Sequence, residues 1–174
     1  MMPDPSMNKL ESYRKRRDTF FLKHPNSPLS KEQKENFQGM RYFPENPELD
    51  LVVEVDQFEE QEEVQLKTTT GDEQTFTRYG CFQFEVDGQE VELTIYSGNK
   101  GYLLPFKDSL AGSETYDIGR YLEIRKLRDG QFEINFNMAY NPFCAYSDGY
   151  SCIITPEENH LEVPIRAGEM LFKK

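Results

Sequence analysis

The chain has 174 residues, of which 37% are apolar and 13% aromatic, and its formal net charge is −11 at pH 7. This length suits one domain around one core, and the aromatic content argues against an intrinsically disordered chain. The negative charge opposes nucleic acid and anionic lipid surfaces, so we expect no nucleic-acid partner and no membrane partner; a saline habitat or simple solubility would also explain the charge.

The first part of the chain is predicted to be helical. We expect residues 1–7 to be a disordered N-terminus, and they lack the basic and apolar regions of a signal peptide. No run approaches the roughly 20 apolar residues of a membrane span, so the chain as given predicts a cytoplasmic location, although a signal segment already removed would leave no trace. Helical spacing predicts a first helix over about residues 8–23, with its apolar face formed by Leu10, Tyr13, Phe20 and Phe21.

Two further features mark this helical part. The basic run Arg14, Lys15, Arg16 and Arg17 is interpreted as a solvated helix face rather than a polyanion site, because the whole chain is acidic. Ser30 and Gln33 have the spacing of a capping box, which predicts a second short helix that ends near residue 37.

From about residue 49 the apolar period changes from helical to two, which predicts strands. Asp-Gly turns at residues 87–88 and 129–130 each separate two alternating segments and predict two β-hairpins. Further strands are predicted over about residues 51–55, 64–69, 74–79 and 101–106. We therefore predict a single mainly β domain over residues 8–174: an antiparallel sheet, as a sandwich or partly open barrel, with two short N-terminal helices packed on it.

Two polar segments, residues 107–120 and 137–169, lack sustained periodicity. The second is far longer than the roughly 12 to 15 residues at which ordered loops become uncommon. Such a segment must satisfy its own backbone or serve a purpose. We therefore place the candidate site residues there, namely Asp108, Glu114, Arg120, Asn137, Tyr140, Asn141, Cys144, Tyr146, Glu158 and Glu169.

The order of several short motifs is characteristic. They include Tyr42-Phe43-Pro44, Arg78-Tyr79-Gly80, Pro105-Phe106-Lys107-Asp108, Gly119-Arg120-Tyr121, Ala139-Tyr140-Asn141-Pro142, Cys144-Ala145-Tyr146, Glu158-Asn159 and Ala167-Gly168-Glu169. This pattern resembles, over about residues 13–169, an uncharacterised prokaryotic family catalogued as domain of unknown function 1684. The resemblance implies that the chain is one unit, but it implies no activity. Ile153-Ile154-Thr155 departs from the family, which tends to be richer in proline after the second cysteine of this region.

The candidate residues allow several kinds of chemistry. Two of the four carboxylates could act as general acid and base, with Arg120 binding an anionic substrate; alternatively, Arg120 pairs with a carboxylate and holds the loops in place. The Asn and Tyr side chains could line a ligand pocket or simply satisfy the backbone of a long loop.

The cysteines leave further alternatives open. Three cysteines fit reduced thiols better than a disulfide framework, although one bridge between Cys144 and Cys152 is conceivable. Cys144, Cys152 and His160 are spaced by eight residues but lack the fourth ligand and the close pair of a structural zinc site, so we predict no metal site. A nucleophilic Cys144 would need His160 as its base.

No phosphate-binding, dinucleotide-binding or nucleophile-elbow motif occurs. The leading hypothesis is a small-molecule-binding domain whose pocket is built from residues 107–120 and 137–169, with its cofactor, if any, and its oligomeric state unknown. The alternatives are a hydrolase or lyase that uses carboxylates or Cys144, and a protein-interaction module that uses a sheet edge or an aromatic patch.

Overall fold

The computed structural model describes residues 8–172, so the expectation of a disordered N-terminus over residues 1–7 lies outside the described residues. Two α-helices come first, α1 (Lys9–Lys23) and α2 (Lys31–Glu35). The strands follow as β1 (Asp50–Glu54), β2 (Asp56–Gln57), β3 (Glu63–Lys67), β4 (Glu73–Val86), β5 (Gln89–Gly98), β6 (Gly101–Phe106), β7 (Arg120–Lys126) and β8 (Gln131–Asn135).

Local side-chain contacts explain where the helices begin. The Asn8 side chain accepts a hydrogen bond from the backbone N–H of Glu11 and caps α1. The predicted capping box of α2 is confirmed, because the Ser30 and Gln33 side chains each accept from the other residue's backbone N–H. α2 ends at Glu35, earlier than predicted, and Asn36 already has non-helical ψ.

Both predicted Asp-Gly hairpins are confirmed. Asp87 and Gly88 have φ of 50° and 80°, and they join β4 to β5 in the left-handed geometry that matches the twist of the strands. Asp129 and Gly130 adopt similar values, 58° and 75°, between β7 and β8. Asp tolerates this region and Gly adopts it freely, which is why the two turns are readable from the sequence.

The predicted strands 74–79 and 82–86 are one long strand, β4. It pairs with β3 and β2 on one side and with β5 on the other, and the register with β5 shifts between Arg78 and Gly80. This bulge interrupts the alternation that would have marked a continuous strand. A Cβ at Gly80 would lie 2.6 Å from the carbonyl oxygen of Asp56, so only glycine allows this close approach.

The sheet is antiparallel throughout and nearly closes into a barrel. Its order is β1-β8-β7-β6-β5-β4-β2, with β3 also paired to β4. β1 pairs with β8 at one end of this order, and one residue later β2 pairs with β4 at the other end. The chain therefore bridges the two ends through Val55, which selects the partly open barrel over the sandwich.

Two main hydrophobic cores form. The first fills the barrel, with fully buried Leu93, Ile95, Leu104, Phe106 and Phe132 among its members. The second lies between the helices and the segment that follows β8, and its buried members are Phe21, Leu29, Met40, Ala145 and Tyr146. α1 therefore packs on this segment, which in turn covers the sheet, whereas α2 buries no residue and contacts the segment through Gln33, which donates to the carbonyl of Tyr146. Within residues 8–172, no helix has the length and apolar character needed to cross a membrane.

Candidate functional site

Arg120 is a buried anchor for the C-terminal segment. Arg120 is the first residue of β7, and its side chain is 1% exposed. Nη1 donates to the carbonyls of Ala167 (2.5 Å) and Glu169 (3.1 Å), and Nη2 donates to the carbonyl of Ile165 (2.9 Å). Burial lowers the pKa of Arg120 to about 10, partly offset by nearby Asp108, so the guanidinium stays charged at neutral pH.

Asp108 completes this anchor. Its Oδ2 lies 3.7 Å from Arg120 Nη2 and accepts from the backbone N–H of Ile165 at 2.8 Å. Its Oδ1 accepts from the Thr115 hydroxyl at 2.7 Å. Every oxygen of this carboxylate is thus occupied inside the protein. The structural alternative for Arg120, a charge that holds loops in place, describes this geometry better than a contact with an anionic substrate.

Glu169 is the centre of a second buried group. Its side chain is 0% exposed, and its Oε2 accepts from Arg17 Nε on α1 at 2.6 Å. Its Oε1 accepts from the Tyr146 hydroxyl (2.7 Å) and from the backbone N–H of Asn141 (3.0 Å). The Asn141 amide donates to Tyr146 and to the carbonyl of Met170. α1, the segment after β8 and the C-terminal segment therefore meet at one carboxylate.

The charges in this group stabilise each other. Burial acts to lower the pKa of Arg17, but the carboxylate of Glu169 together with Tyr13 and Tyr146 outweighs it and raises that pKa above its ordinary value. Burial, and then Glu169, raise the pKa of Tyr146 well above its ordinary value, so its hydroxyl remains a donor. Arg17 Nη2 and Asn141 Oδ1 are buried without a hydrogen-bond partner in the described protein.

Three predicted residues lie elsewhere. Asn137 is buried, and its side chain bonds the backbone N–H and carbonyl of Asn46. Glu158 binds Arg78 through two hydrogen bonds of 3.1 and 2.8 Å and also accepts from Tyr96. The third, Glu114, is exposed and lies 3.8 Å from Arg166. The sequence therefore grouped residues that the fold separates.

An open cleft of about 520 Å³ lies next to the Glu169 group. We call it the α1 cleft, and it is lined by Tyr13, Arg16, Arg17, Phe20, Glu123, Tyr140 and Phe143. The guanidinium of Arg17 lies 5.1 Å from the Tyr140 ring centroid, and Phe20 stacks with Phe143 at 6.2 Å. The Tyr140 hydroxyl donates to Glu123 at 3.3 Å. A larger cleft, about 620 Å³ beside α2, contains none of the predicted site residues.

Of the predicted residues, only Tyr140 lines the α1 cleft. The others that line it were missed because most lie on α1, where the basic run was interpreted as solvated. One signal was present: Tyr13, Arg17 and Phe20 have the spacing of one helix face, so a charge falls within an otherwise aromatic face.

Cys144 and Cys152 lie together, and no disulfide joins them in this structure. His160 Nε2 lies 3.0 Å from the carbonyl oxygen of Thr155, and no hydrogen bond between His160 and Cys144 is described within residues 8–172. No group of three or more His, Cys, Asp or Glu side chains within residues 8–172 is arranged to hold a metal ion.

The structural class is an antiparallel, nearly closed barrel whose first helix, α1, is ion-paired to a buried carboxylate. The chain matches the family described as "Protein of unknown function (DUF1684)" over residues 35–170. It belongs to that family. It is also similar to an uncharacterized protein of Haloarcula marismortui solved by solution NMR, with 35% identity, a TM-score of 0.71, and coverage of 93% of this chain and 92% of that one. Among curated proteins, none matches this chain.

Proposed function

We propose that this chain is a small-molecule-binding domain and that its site is the α1 cleft. The ligand class we propose is a small planar molecule that carries a carboxylate. The cleft's volume of about 520 Å³ falls within the range of about 300 to 1,000 Å³ for small-molecule sites. The sequence predicted a pocket built from residues 107–120 and 137–169; the site proposed now keeps the segment after β8 but has α1 in place of residues 107–120.

The observation that carries this proposal is the state of Arg17. Its Nε is ion-paired to buried Glu169, while its Nη2 is buried without a protein hydrogen-bond partner. A buried donor without an acceptor costs roughly 1 to 3 kcal/mol, and a ligand oxygen that reaches Nη2 as the side chains lining the cleft move apart would remove that cost. Glu169 also holds the guanidinium in place, so little side-chain entropy would be lost on binding.

The rest of the lining supports a planar anion. Tyr13, Phe20, Tyr140 and Phe143 supply aromatic surfaces, and aromatic rings prefer offset or edge-to-face contact with other rings. The Arg17 charge is balanced by Glu169, and the cleft is also lined by exposed Arg16, which makes no ion pair among the described residues, and by Glu123. A carboxylate near both arginines would satisfy Nη2 and face Arg16.

The test is NMR titration of isotope-labelled protein with three matched probes: 1-naphthoate, 1-naphthylmethanol and 1-naphthylmethylamine. We expect naphthoate to shift the amide signals of residues 139–143 and of α1, with the alcohol at least about 5-fold weaker and the amine weaker still. Arg16→Gln should weaken naphthoate binding about 3- to 10-fold, whereas Lys15→Gln removes the same charge from the same helix outside the cleft and should not. Equal binding of all three probes, or shifts that map elsewhere, would contradict the proposal.

Two other proposals from the sequence receive less support. The hydrolase or lyase alternative needs free carboxylates in an open cleft, or Cys144 with a histidine base. Asp108 and Glu169 are buried with their oxygens occupied, and no hydrogen bond from His160 to Cys144 is described within residues 8–172. The interaction-module alternative needs a broad apolar surface, and within residues 8–172 three large hydrophobic side chains are exposed: Leu22 on α1, Val52 on β1 and Ile154 in the segment after β8. A cytoplasmic location is also proposed, because reduced thiols persist in that compartment; fractionation of the source cells would test it.

A further inference from the structure

Cys144 and Cys152 face each other across a short loop. Cys144 lies in the one-turn 3-10 helix Phe143–Ala145, and its backbone N–H donates to Cys152 Sγ at 3.3 Å. Cys152 is held from the other side, since its backbone N–H donates to the Thr69 hydroxyl at 3.2 Å. The third cysteine, Cys81, is on β4.

The two sulfurs have different surroundings. The Tyr116 hydroxyl donates to Cys144 Sγ at 3.5 Å, and no corresponding hydroxyl contact is described for Cys152 Sγ within residues 8–172. The hydrogen bond from Cys152 lowers the pKa of Cys144 to about 7, with Tyr116 adding to the effect and burial opposing it. The same pairing and burial raise the pKa of Cys152. Cys144 is therefore the member of the pair that ionises first, and Cys152 stays protonated at neutral pH.

The pair lies just below the surface. Cys144 is 9% exposed and Cys152 is 8% exposed. The loop between them includes exposed Asp148, Gly149 and Ser151. Only a small reagent would reach sulfurs in this position. The loop is short, so closing a disulfide there would join residues that are already in contact.

We propose that Cys144 and Cys152 form a peroxide-reactive thiol pair, in which Cys144 is the attacking and Cys152 the resolving cysteine. The Cys144 thiolate attacks one oxygen of hydrogen peroxide, the O–O bond breaks, and hydroxide leaves and takes a proton from solvent. The Cys152 thiol then attacks the Cys144 sulfenic acid, forms the S–S bond and releases water. Two thiols are oxidised and one peroxide is reduced to two waters; a dithiol reductant reverses the change. This proposal does not depend on a ligand in the α1 cleft.

The first experiment uses the Cys81→Ser chain, which retains only the pair. After one equivalent of hydrogen peroxide, we expect the intact mass to fall by two hydrogens and both alkylation sites to disappear, with the chain still monomeric on a non-reducing gel. In the Cys81→Ser/Cys152→Ser chain, dimedone should trap a sulfenic acid on Cys144. The Cys81→Ser/Cys144→Ser chain should give no adduct. An adduct on Cys152 or only intermolecular disulfides would overturn the proposal.

The second experiment requires no substitution in the pair. At pH 7 a thiol with a pKa of about 7 is about half thiolate, whereas a thiol with a pKa of 9 is about 1% thiolate, a difference of roughly 50-fold. A thiolate of lower pKa is also roughly 8-fold less nucleophilic, so the net gain in rate is roughly 6-fold. Because burial raises the pKa of Cys81, we expect Cys144 in the natural chain to react with peroxide at least about 5-fold faster than Cys81. Its alkylation rate should have a midpoint near pH 7 that rises in Tyr116→Phe.

These results would distinguish a reactive pair from two thiols that merely pack together. Equal reaction of Cys144 and Cys81, or an alkylation midpoint above pH 8.5, would overturn the proposal. Near-ultraviolet circular dichroism of each variant shows whether it is folded, and if a serine variant does not fold, the natural chain alone decides.

Discussion

The substitution Arg17→Met removes the guanidinium that neutralises the fully buried carboxylate of Glu169. Methionine keeps most of the apolar stem. The change therefore removes the charge together with the guanidinium contacts over the rings of Phe21 and Tyr140. It leaves Glu169 with two of its three donors, the Tyr146 hydroxyl and the Asn141 backbone N–H.

The magnitude follows from burial. Removing one partner of a buried ion pair costs about 3 to 5 kcal/mol, because the other charge is left uncompensated. We expect a cost of about 3 kcal/mol for Arg17→Met, at the low end of that range. Glu169 keeps two donors, and the Arg17 side chain is 17% exposed. Glu169→Gln alone should cost about 2 kcal/mol, since Arg17 keeps some access to water. The double variant should lose no more than about 3 kcal/mol of unfolding free energy, whereas the costs of the two single variants add to about 5 kcal/mol. The coupling energy between Arg17 and Glu169 is therefore at least about 2 kcal/mol.

Urea denaturation at pH 7, followed by tyrosine fluorescence, measures all four free energies of unfolding. Arg16→Met is the matched control: it removes the same side chain from the neighbouring exposed position and should change stability by less than about 0.5 kcal/mol. Additivity of the two single variants within about 0.5 kcal/mol would refute the reasoning. A cost below about 1 kcal/mol for Arg17→Met would also do so.

Three other substitutions test separate parts of the fold by the same denaturation assay. Gly168→Ala should cost at least about 2 kcal/mol, because φ is +80° and a Cβ would lie 2.8 Å from the Ala139 Cβ; a change under about 0.5 kcal/mol would disagree. Asn159→Ala should cost about 2 to 4 kcal/mol, since its buried amide makes three hydrogen bonds to the backbone of β5 and β6. Burial acts to raise the pKa of Glu158, but Arg78 lowers it below 4.5. The carboxylate of Glu158 therefore stabilises the fold above pH 4.5, and this stabilisation is lost as the pH falls through the folded-state pKa. In Glu158→Gln the free energy of unfolding should fall less steeply as the solution is acidified.

The local features of this fold were predictable. The Asp87-Gly88 turn and the capping box of Ser30 and Gln33 depend on dihedral preferences and on hydrogen bonds that span three residues or fewer. The mainly β class followed from the alternation of side chains along the strands. The continuity of β4 was missed, because its bulge between Arg78 and Gly80 disturbs that alternation.

The candidate site was predictable only in part. Arg120, Asn141, Tyr146 and Glu169 were identified as candidates, and the fold does bring them close together. Their burial was not predictable, because a charged residue is normally exposed unless a partner is present. For Glu169 that partner is Arg17, 152 positions away on a helix whose basic run indicated a solvated face.

The sequence by itself determined the turns, the caps, the strand class and the acidic charge, since each depends on a residue and its near neighbours. Only the tertiary structure decided that the sheet nearly closes through Val55, that α1 packs on the segment after β8, and that an aromatic cleft opens beside Arg17. The physical reason is that a charged side chain is buried only where an opposite charge is buried beside it. Arg17 and Glu169 are 152 positions apart, so the fold of the whole chain and not a local preference brings them together.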